Sequence, residues 1–293
     1  MAKGMSIHFG LNHLDPAHYA GWEGRLNACE NDARCMQQIA EKAGYQTNLR
    51  LSDQATRAAM IELLTKAATD LRGGDILLVT YSGHGNQVPD LDGDEADGLD
   101  ETWCLYDGQI VDDELYRLYG ALADGVRVLI LSDSCHSGTV AKMMFYQSVL
   151  PSNLAAVGDV TKLGAPPAKA IVYGPKFVPP DVALRTLQLN KEFYEKIGNP
   201  MPKVGPGGKD GETARASIRL ISGCQDNQVS FDGAVNSTFT AALLLVWDSG
   251  TFQGDYEDFH LKIQRMMLPT QSPNHYKVGK LDLAYDHQRP FTI

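Results

Sequence analysis

The sequence predicts an α/β protein built on a largely parallel sheet. Three observations carry that prediction. Two apolar runs, Asp75–Gly85 (DILLVTYSGHG) and Val126–Gly138 (VRVLILSDSCHSG), each break off into small polar residues. A short apolar run ended in this way is the pattern of a strand buried on both faces. Between them, Asp112–Ala123 has the spacing of an amphipathic helix. Upstream, runs and helical segments alternate, and the order β-α-β-α-β-loop-α-β is that of an α/β fold.

Taken in order, Met5–Leu11 predicts the first strand, with His8 as a tolerated strand histidine. A loop follows through His13, Pro16, Tyr19, Trp22 and Gly24. Asn27–Gly44 places Ala33, Met36, Ile39, Ala40 and Ala43 on one helical face, and Gly44 is a stop signal. Tyr45–Leu51 predicts a second strand. Thr56–Leu71 predicts a second helix, with Ser52 or Asp53 near its start. Next come the histidine run, an acidic loop, the helix at Asp112 and the cysteine run. Thr139–Arg215 then changes texture: it is rich in proline and glycine, interrupted by a helical piece at Asp181–Ile197. A long insert of this kind is usually functional. Regular structure resumes with a strand at Ser217–Cys224. A helix at Ser237–Trp247 follows, capped by Ser237 or Asn236, and then one at Tyr256–Met267. The resulting division is 1–138, a linker at 139–216, and 217–293, within one compact domain.

Hydrophobic residues make up 43% of the 293 and charged residues 21%, enough for a sizeable core. The net charge of −10 argues against nonspecific nucleic-acid binding and against an anionic membrane surface. Five cysteines, Cys29, Cys35, Cys104, Cys135 and Cys224, follow neither a disulfide framework nor a zinc spacing. Reduced thiols in a cytoplasmic protein are the expectation. The first residues lack the apolar core of a signal peptide, and no run is long enough to span a bilayer.

The two runs place chemistry together. A strand–helix–strand crossover keeps its strands parallel. Both carboxyl ends therefore lie on one edge of the sheet, where ligands bind in open α/β folds. His84 and Cys135 share that edge. A thiol becomes a good nucleophile beside a base, and histidine is the usual one. Small residues around Cys135 leave backbone N–H groups free to face an oxyanion. His136 is the competing base. Neighbouring residues on an extended chain point to opposite sides, so His136 is assigned a structural role. Asp133 stands two residues before Cys135, and Asp32 follows the first strand on the same edge. Buried carboxylates there need a cationic partner, which a guanidinium or ammonium supplies.

YSGHG at Tyr81–Gly85 and DSCHSG at Asp133–Gly138 resemble the paired signatures of the metacaspases, caspase-like cysteine peptidases. LNACENDA at Leu26–Ala33 and ISGCQDNQVSFD at Ile221–Asp232 extend the resemblance over most of the chain outside the linker. It implies a caspase-like three-layer α/β/α sandwich around a mostly parallel sheet of about six strands, with p20-like and p10-like parts sharing it. It implies Cys135 as nucleophile, His84 as proton carrier, and the N–H groups of Gly85 and Cys135 as oxyanion donors. It implies cleavage after Arg or Lys, with Cys29, Asp32, Ser82 and Asp133 forming the pocket for the basic residue. A monomer that acts on protein substrates is expected.

The acidic loop Asp90–Glu101 holds seven acids and no base. Clustered carboxylates repel unless solvated or bridged by a hard cation. Glu95 stands where an EF-hand loop needs glycine. In calcium-dependent metacaspases the metal site maps onto Asp100, Asp112 and Asp113. The family's fourth acid is Lys142 here, which counts against calcium, and the thiol chemistry needs no cofactor. Asp112 has a rival role as helix N-cap.

The leading expectation is a cysteine endopeptidase specific for Arg or Lys, working through a thioester. Self-cleavage is expected after one or more basic residues of the insert, among them Lys142, Lys162, Lys169, Lys176, Lys203, Lys209 and Arg215. The alternatives are a catalytically silent caspase-like adaptor and a calcium-sensing module.

Overall fold

A computed structural model describes residues 2–90, 98–135, 174–197, 214–225 and 228–293. His136, Gly138, the acids between positions 91 and 97, and Lys142, Lys162, Lys169, Lys203 and Lys209 lie outside the described residues.

Six strands form the central sheet: β1 (Gly4–Gly10), β2 (Gln46–Leu51), β3 (Ile76–Ser82), β7 (Arg127–Asp133), β8 (Ser217–Ser222) and β9 (Asn274–Gly279). Their spatial order is β2-β1-β3-β7-β8-β9. All pairs are parallel except β8 with β9. Every residue of β1 and β3 is buried. That is why β3 reads as a continuous apolar run; β1 alternates, and its buried His8 is satisfied by Thr80 and Ser6.

Helices cover both faces. On one side lie α1 (Cys29–Lys42), α6 (Thr238–Trp247) and α7 (Tyr256–Met266). Their Met36, Ile39, Phe239, Leu243, Phe259 and Ile263 pack on Ile76, Leu78, Leu129 and Leu131 of the sheet. On the other side lie α2 (Arg57–Asp70), α3 (Asp112–Gly120) and α4 (Pro180–Leu189). Their Met60, Leu64, Leu115, Tyr119 and Val182 meet Leu77, Val79, Val128 and Ile130. Alternate residues of one strand thus feed two separate cores, as the two-residue period requires. The result is the expected three-layer α/β/α sandwich. Two short helices complete it, α5 (Lys191–Ile197) and α8 (Leu283–Asp286). Among the described residues no helix is long and apolar enough to cross a membrane.

Some elements differ from expectation. The α2 helix is capped by Thr56, whose side chain accepts from the Ala59 N–H, while Ser52–Gln54 forms a separate 3₁₀ turn. The helical piece in the insert is two helices, α4 and α5, divided at Asn190. Between His84 and α3 stands an unforeseen antiparallel sheet of β4 (Gly85–Pro89), β5 (Leu99–Leu105) and β6 (Gly108–Val111). It is tied back to β3 through Tyr81, whose single hydroxyl proton is shared between the carbonyls of His84 (2.7 Å) and Cys104 (2.9 Å). The stacked Tyr81 and Trp103 rings reinforce that joint.

Candidate active site

Strands β3 and β7 are direct neighbours, with Ser82 opposite Asp133. Both chains leave the sheet at that level, so His84 and Cys135 emerge side by side at one edge. The turn Gly83-His84-Gly85 is tight. A Cβ at Gly85 would stand 1.8 Å from the Cys135 carbonyl oxygen, so only glycine lets the two segments approach this closely.

A third segment enters between them. Residues 174–178 lie extended across the edge, with Pro175 bridged antiparallel to Phe231 and Phe177 bridged parallel to Gly85. Asp232 N–H donates to the Gly174 carbonyl (2.9 Å), and Lys176 N–H donates to the Ser230 carbonyl (3.0 Å). The Lys176 carbonyl oxygen accepts from two N–H groups, those of Gly85 (3.0 Å) and Cys135 (3.3 Å). These are the two donors the sequence assigned to an oxyanion.

The Lys176 side chain is fully buried. Its Nζ donates to Ser82 Oγ (2.9 Å), Ser237 Oγ (2.8 Å) and the Asp133 carbonyl (3.1 Å). Asp133 Oδ1 stands 3.1 Å away and Asp32 Oδ2 3.7 Å away. Burial alone would lower the pKa of this ammonium, but Asp133, Cys29, Asp32 and Asp232 outweigh it and hold the proton on.

The two acids are also held by uncharged donors. Asp133 accepts from Ser230 Oγ (2.6 Å), Ser237 Oγ (2.7 Å) and Thr240 Oγ1 (2.9 Å). Asp32 accepts from Ser82 Oγ (2.8 Å), Asn236 Nδ2 (2.9 Å) and the Ser237 N–H (3.1 Å). Ser237 Oγ also meets Asp32 Oδ2. A hydroxyl carries one proton and cannot donate to both acids at once. Burial and the neighbouring Asp133 charge raise the Asp32 pKa, against the pull of Lys176.

Cys135 is buried, its Sγ accepting from Ser230 N–H (2.9 Å) and lying 3.3 Å from the Ser230 carbonyl. His84 is buried as well. Its Nε2 lies 2.9 Å from the Gly24 carbonyl, an acceptor, so Nε2 carries the proton and Nδ1 the lone pair. Nδ1 makes no hydrogen bond of normal geometry among the described residues, and the Phe177 backbone is the other main-chain group that acts on the ring. Burial pushes the His84 pKa down to about 4; the Gly24 carbonyl and the Phe177 backbone oppose the shift, and Lys176 adds to it. The Trp22 ring lies 4.8 Å from the imidazole, centroid to centroid.

Of the residues singled out in the sequence, Asp32, Ser82 and Asp133 thus surround one ammonium. Cys29 is buried at the same place, its thiol pKa raised by burial and lowered only in part by Lys176. Sequence reasoning missed Ser230, Ser237, Thr240 and Asn236. Ser237 does stand at the N-cap of α6, but its side chain makes no cap bond and turns to the two aspartates instead.

Asp100 lies on β5, and Asp112 and Asp113 open α3, away from the Lys176 contacts. The Asp112 carboxyl is raised to about 8, by burial first and then by Glu101, Asp100 and Asp113. The N-cap of α3 is Val111, so Asp112 does not fill that role. All three acids are described, yet they do not gather ligand atoms within 4.8 Å of one another, so the donor set is not assembled for a hard dication. A second group, Glu257, His260 and His275, brings possible ligand atoms within 4.8 Å of one another. There the Arg219 guanidinium donates to His275 Nε2 (3.2 Å), which leaves the ring proton on Nδ1, facing Glu257. That nitrogen pairs with the carboxylate and has no lone pair for a metal.

The chain resembles known proteins over nearly all its length. The caspase-domain family matches residues 14–285. Metacaspase-1 of Schizosaccharomyces pombe is 31% identical over 263 residues, covering 82% of this chain and 58% of that protein. Metacaspase-1A of Aspergillus terreus is 32% identical over 246 residues, covering 77% and 58%. The chain therefore spans a little over half the length of these curated relatives. Among solved structures, a protein of Geobacter sulfurreducens is 47% identical with a TM-score of 0.85, covering 99% of this chain and 98% of that one. Caspase-1 of Spodoptera frugiperda shares the fold at a TM-score of 0.54 and 11% identity, covering 94% of this chain and 86% of that one. The match across both halves of the sheet, with the histidine and cysteine turns at one edge, makes this chain a member of the caspase-domain family of peptidases.

Proposed function

We propose that the chain is a cysteine endopeptidase that cuts proteins after Lys or Arg, and that its own Lys176–Phe177 bond is one such substrate. A single observation supports the reading best. Lys176 lies with its ammonium between Asp133 and Asp32 and its carbonyl on the N–H groups of Gly85 and Cys135. A bound substrate requires both.

In this reading Cys135 Sγ attacks the Lys176 carbonyl carbon, and the Gly85 and Cys135 N–H groups hold the oxygen as it becomes negative. His84 takes the thiol proton at Nδ1 and delivers it to the Phe177 nitrogen. The C–N bond breaks as the C–S bond remains, leaving a thioester on Lys176 and a free amine on Phe177. Water then releases the Lys176 carboxylate and restores the thiol. Burial keeps the His84 ring neutral near pH 7, the state a base needs. An arginine would meet the same carboxylates with a planar, forked cation. Departure of Lys176 after cleavage opens the groove to other proteins, so cutting in the insert activates the enzyme.

The test is mass spectrometry of the purified full-length chain and its variants. A cut after Lys176 is expected in the native chain and in Lys176→Arg. Lys176→Gln and Cys135→Ala are expected to stay intact at that bond. Cleavage at Lys176–Phe177 in Cys135→Ala at the native rate would overturn the assignment.

A further inference from the structure

The groove continues past the bond to be cut. Phe177 is only 8% exposed and belongs to a small apolar cluster with Cys135 and Val229, on which Phe231 packs. Its backbone is bridged to Gly85, and the next residue, Val178, is buried with its N–H on the Gly85 carbonyl (3.2 Å). The chain is therefore held as a strand on both sides of the Lys176 carbonyl. On the upstream side the contacts of Gly174 and Pro175 are to backbone, and both residues are half-buried. Downstream, the side chain itself is removed from water.

We infer that the enzyme also selects the residue after the cut bond, and that it takes a large apolar side chain there. This rests on the peptidase reading and narrows its substrate class to extended segments in which Lys or Arg precedes an aromatic or large aliphatic residue. The physical reason is desolvation. A phenyl ring in this cluster gains its transfer free energy on binding. An aspartate or lysine in the same place would lose water without a counter-charge, since the ion pairs of the site converge on Lys176 one residue earlier. The selectivity is additional to the basic pocket, because Phe177 and the Lys176 ammonium contact separate residues.

The experiment uses quenched-fluorescent peptides containing Gly-Pro-Lys-X-Val, with X as Phe, Leu, Ala or Asp. They are offered to the full-length chain before and after processing at Lys176. For Phe and Leu, kcat/KM is expected to exceed that for Ala by about tenfold or more, with Asp the poorest. In the chain itself, Phe177→Ala should slow the cut after Lys176 by a similar factor, and Phe177→Leu should not. The peptides keep the test independent of whether a Phe177 variant folds. Equal rates for all four peptides would overturn the downstream subsite and leave the Lys176 assignment standing. If no lysine peptide is cut, both fall together.

Discussion

Ser237 is the residue on which the surroundings of the Lys176 ammonium turn. Its hydroxyl touches Asp133, Asp32 and the Lys176 ammonium at once. Removing it strips one hydrogen bond from each of three charged or chargeable groups. Hydrogen bonds to charged groups are worth about 1.5–3 kcal/mol each. Ser237→Ala is therefore expected to lower kcat/KM for lysine peptides by about 10- to 100-fold. The α6 helix should survive, because this side chain does not cap it. Circular dichroism and peptide kinetics on one preparation check both halves, and undiminished turnover would remove Ser237 from the pocket. Asp32, Ser82 and Asp133 were legible in the sequence because they flank the motifs. Ser237 was not, since a serine before an apolar helix reads as an N-cap. Lys176 was one of ten basic residues between Thr139 and Arg215, and nothing local sets it apart from the others. Only the register of residues 174–178 against Gly85 and Phe231 does so.

At the scale of elements, the crossover from β3 through α3 to β7 brings histidine and cysteine together, and this much could be read in advance. Parallel neighbours must end at one edge, and Ser82 does lie opposite Asp133. The β4–β5–β6 sheet was hidden, because its pairing joins short segments across a charged loop and carries little alternation of its own. Yet it begins at Gly85 and so sets the position of one N–H on the Lys176 carbonyl. Gly85→Ala would drive a methyl into the Cys135 carbonyl, and the two segments must separate to admit it. Loss of one such donor costs about 10²–10³ in rate. Self-cleavage should fall by at least that factor, with a lower Tm as well. A Gly85→Ala chain that cuts itself at the native rate would show that this close approach is dispensable.

For the whole molecule, buried titratable groups set the response to pH. His8, His84 and His275 are pushed down to about 3, 4 and 4, by burial first in each case. Their folded pKa values lie below the unfolded value of 6.5. On acidification the unfolded chain binds protons that the folded chain refuses, and stability falls from about pH 6.5 towards pH 4. Each proton contributes a slope of about 1.4 kcal/mol per pH unit. Asp112 works in the opposite sense. Its pKa is raised to about 8, so the folded chain holds a proton there that the unfolded chain loses, and stability falls as pH rises from about 4 towards 8. Three histidines outweigh Asp112 on the acid side, and Asp112 acts alone among these four above pH 6.5. Urea unfolding at pH 5, 6.5 and 8 should therefore find the maximum at 6.5, with Asp112→Asn flattening the alkaline limb. Stability still climbing at pH 8 would contradict the burial of that carboxyl.

Because residues 174–178 belong to the same polypeptide as the groove they fill, their occupancy does not depend on protein concentration. A ligand tethered to its own site competes at an effective concentration that dilution does not lower. An inhibitor of nanomolar intrinsic affinity would look weaker against the uncut chain than against the cut one. Its apparent potency would then be a gauge of how much of a sample has already turned over its own tether.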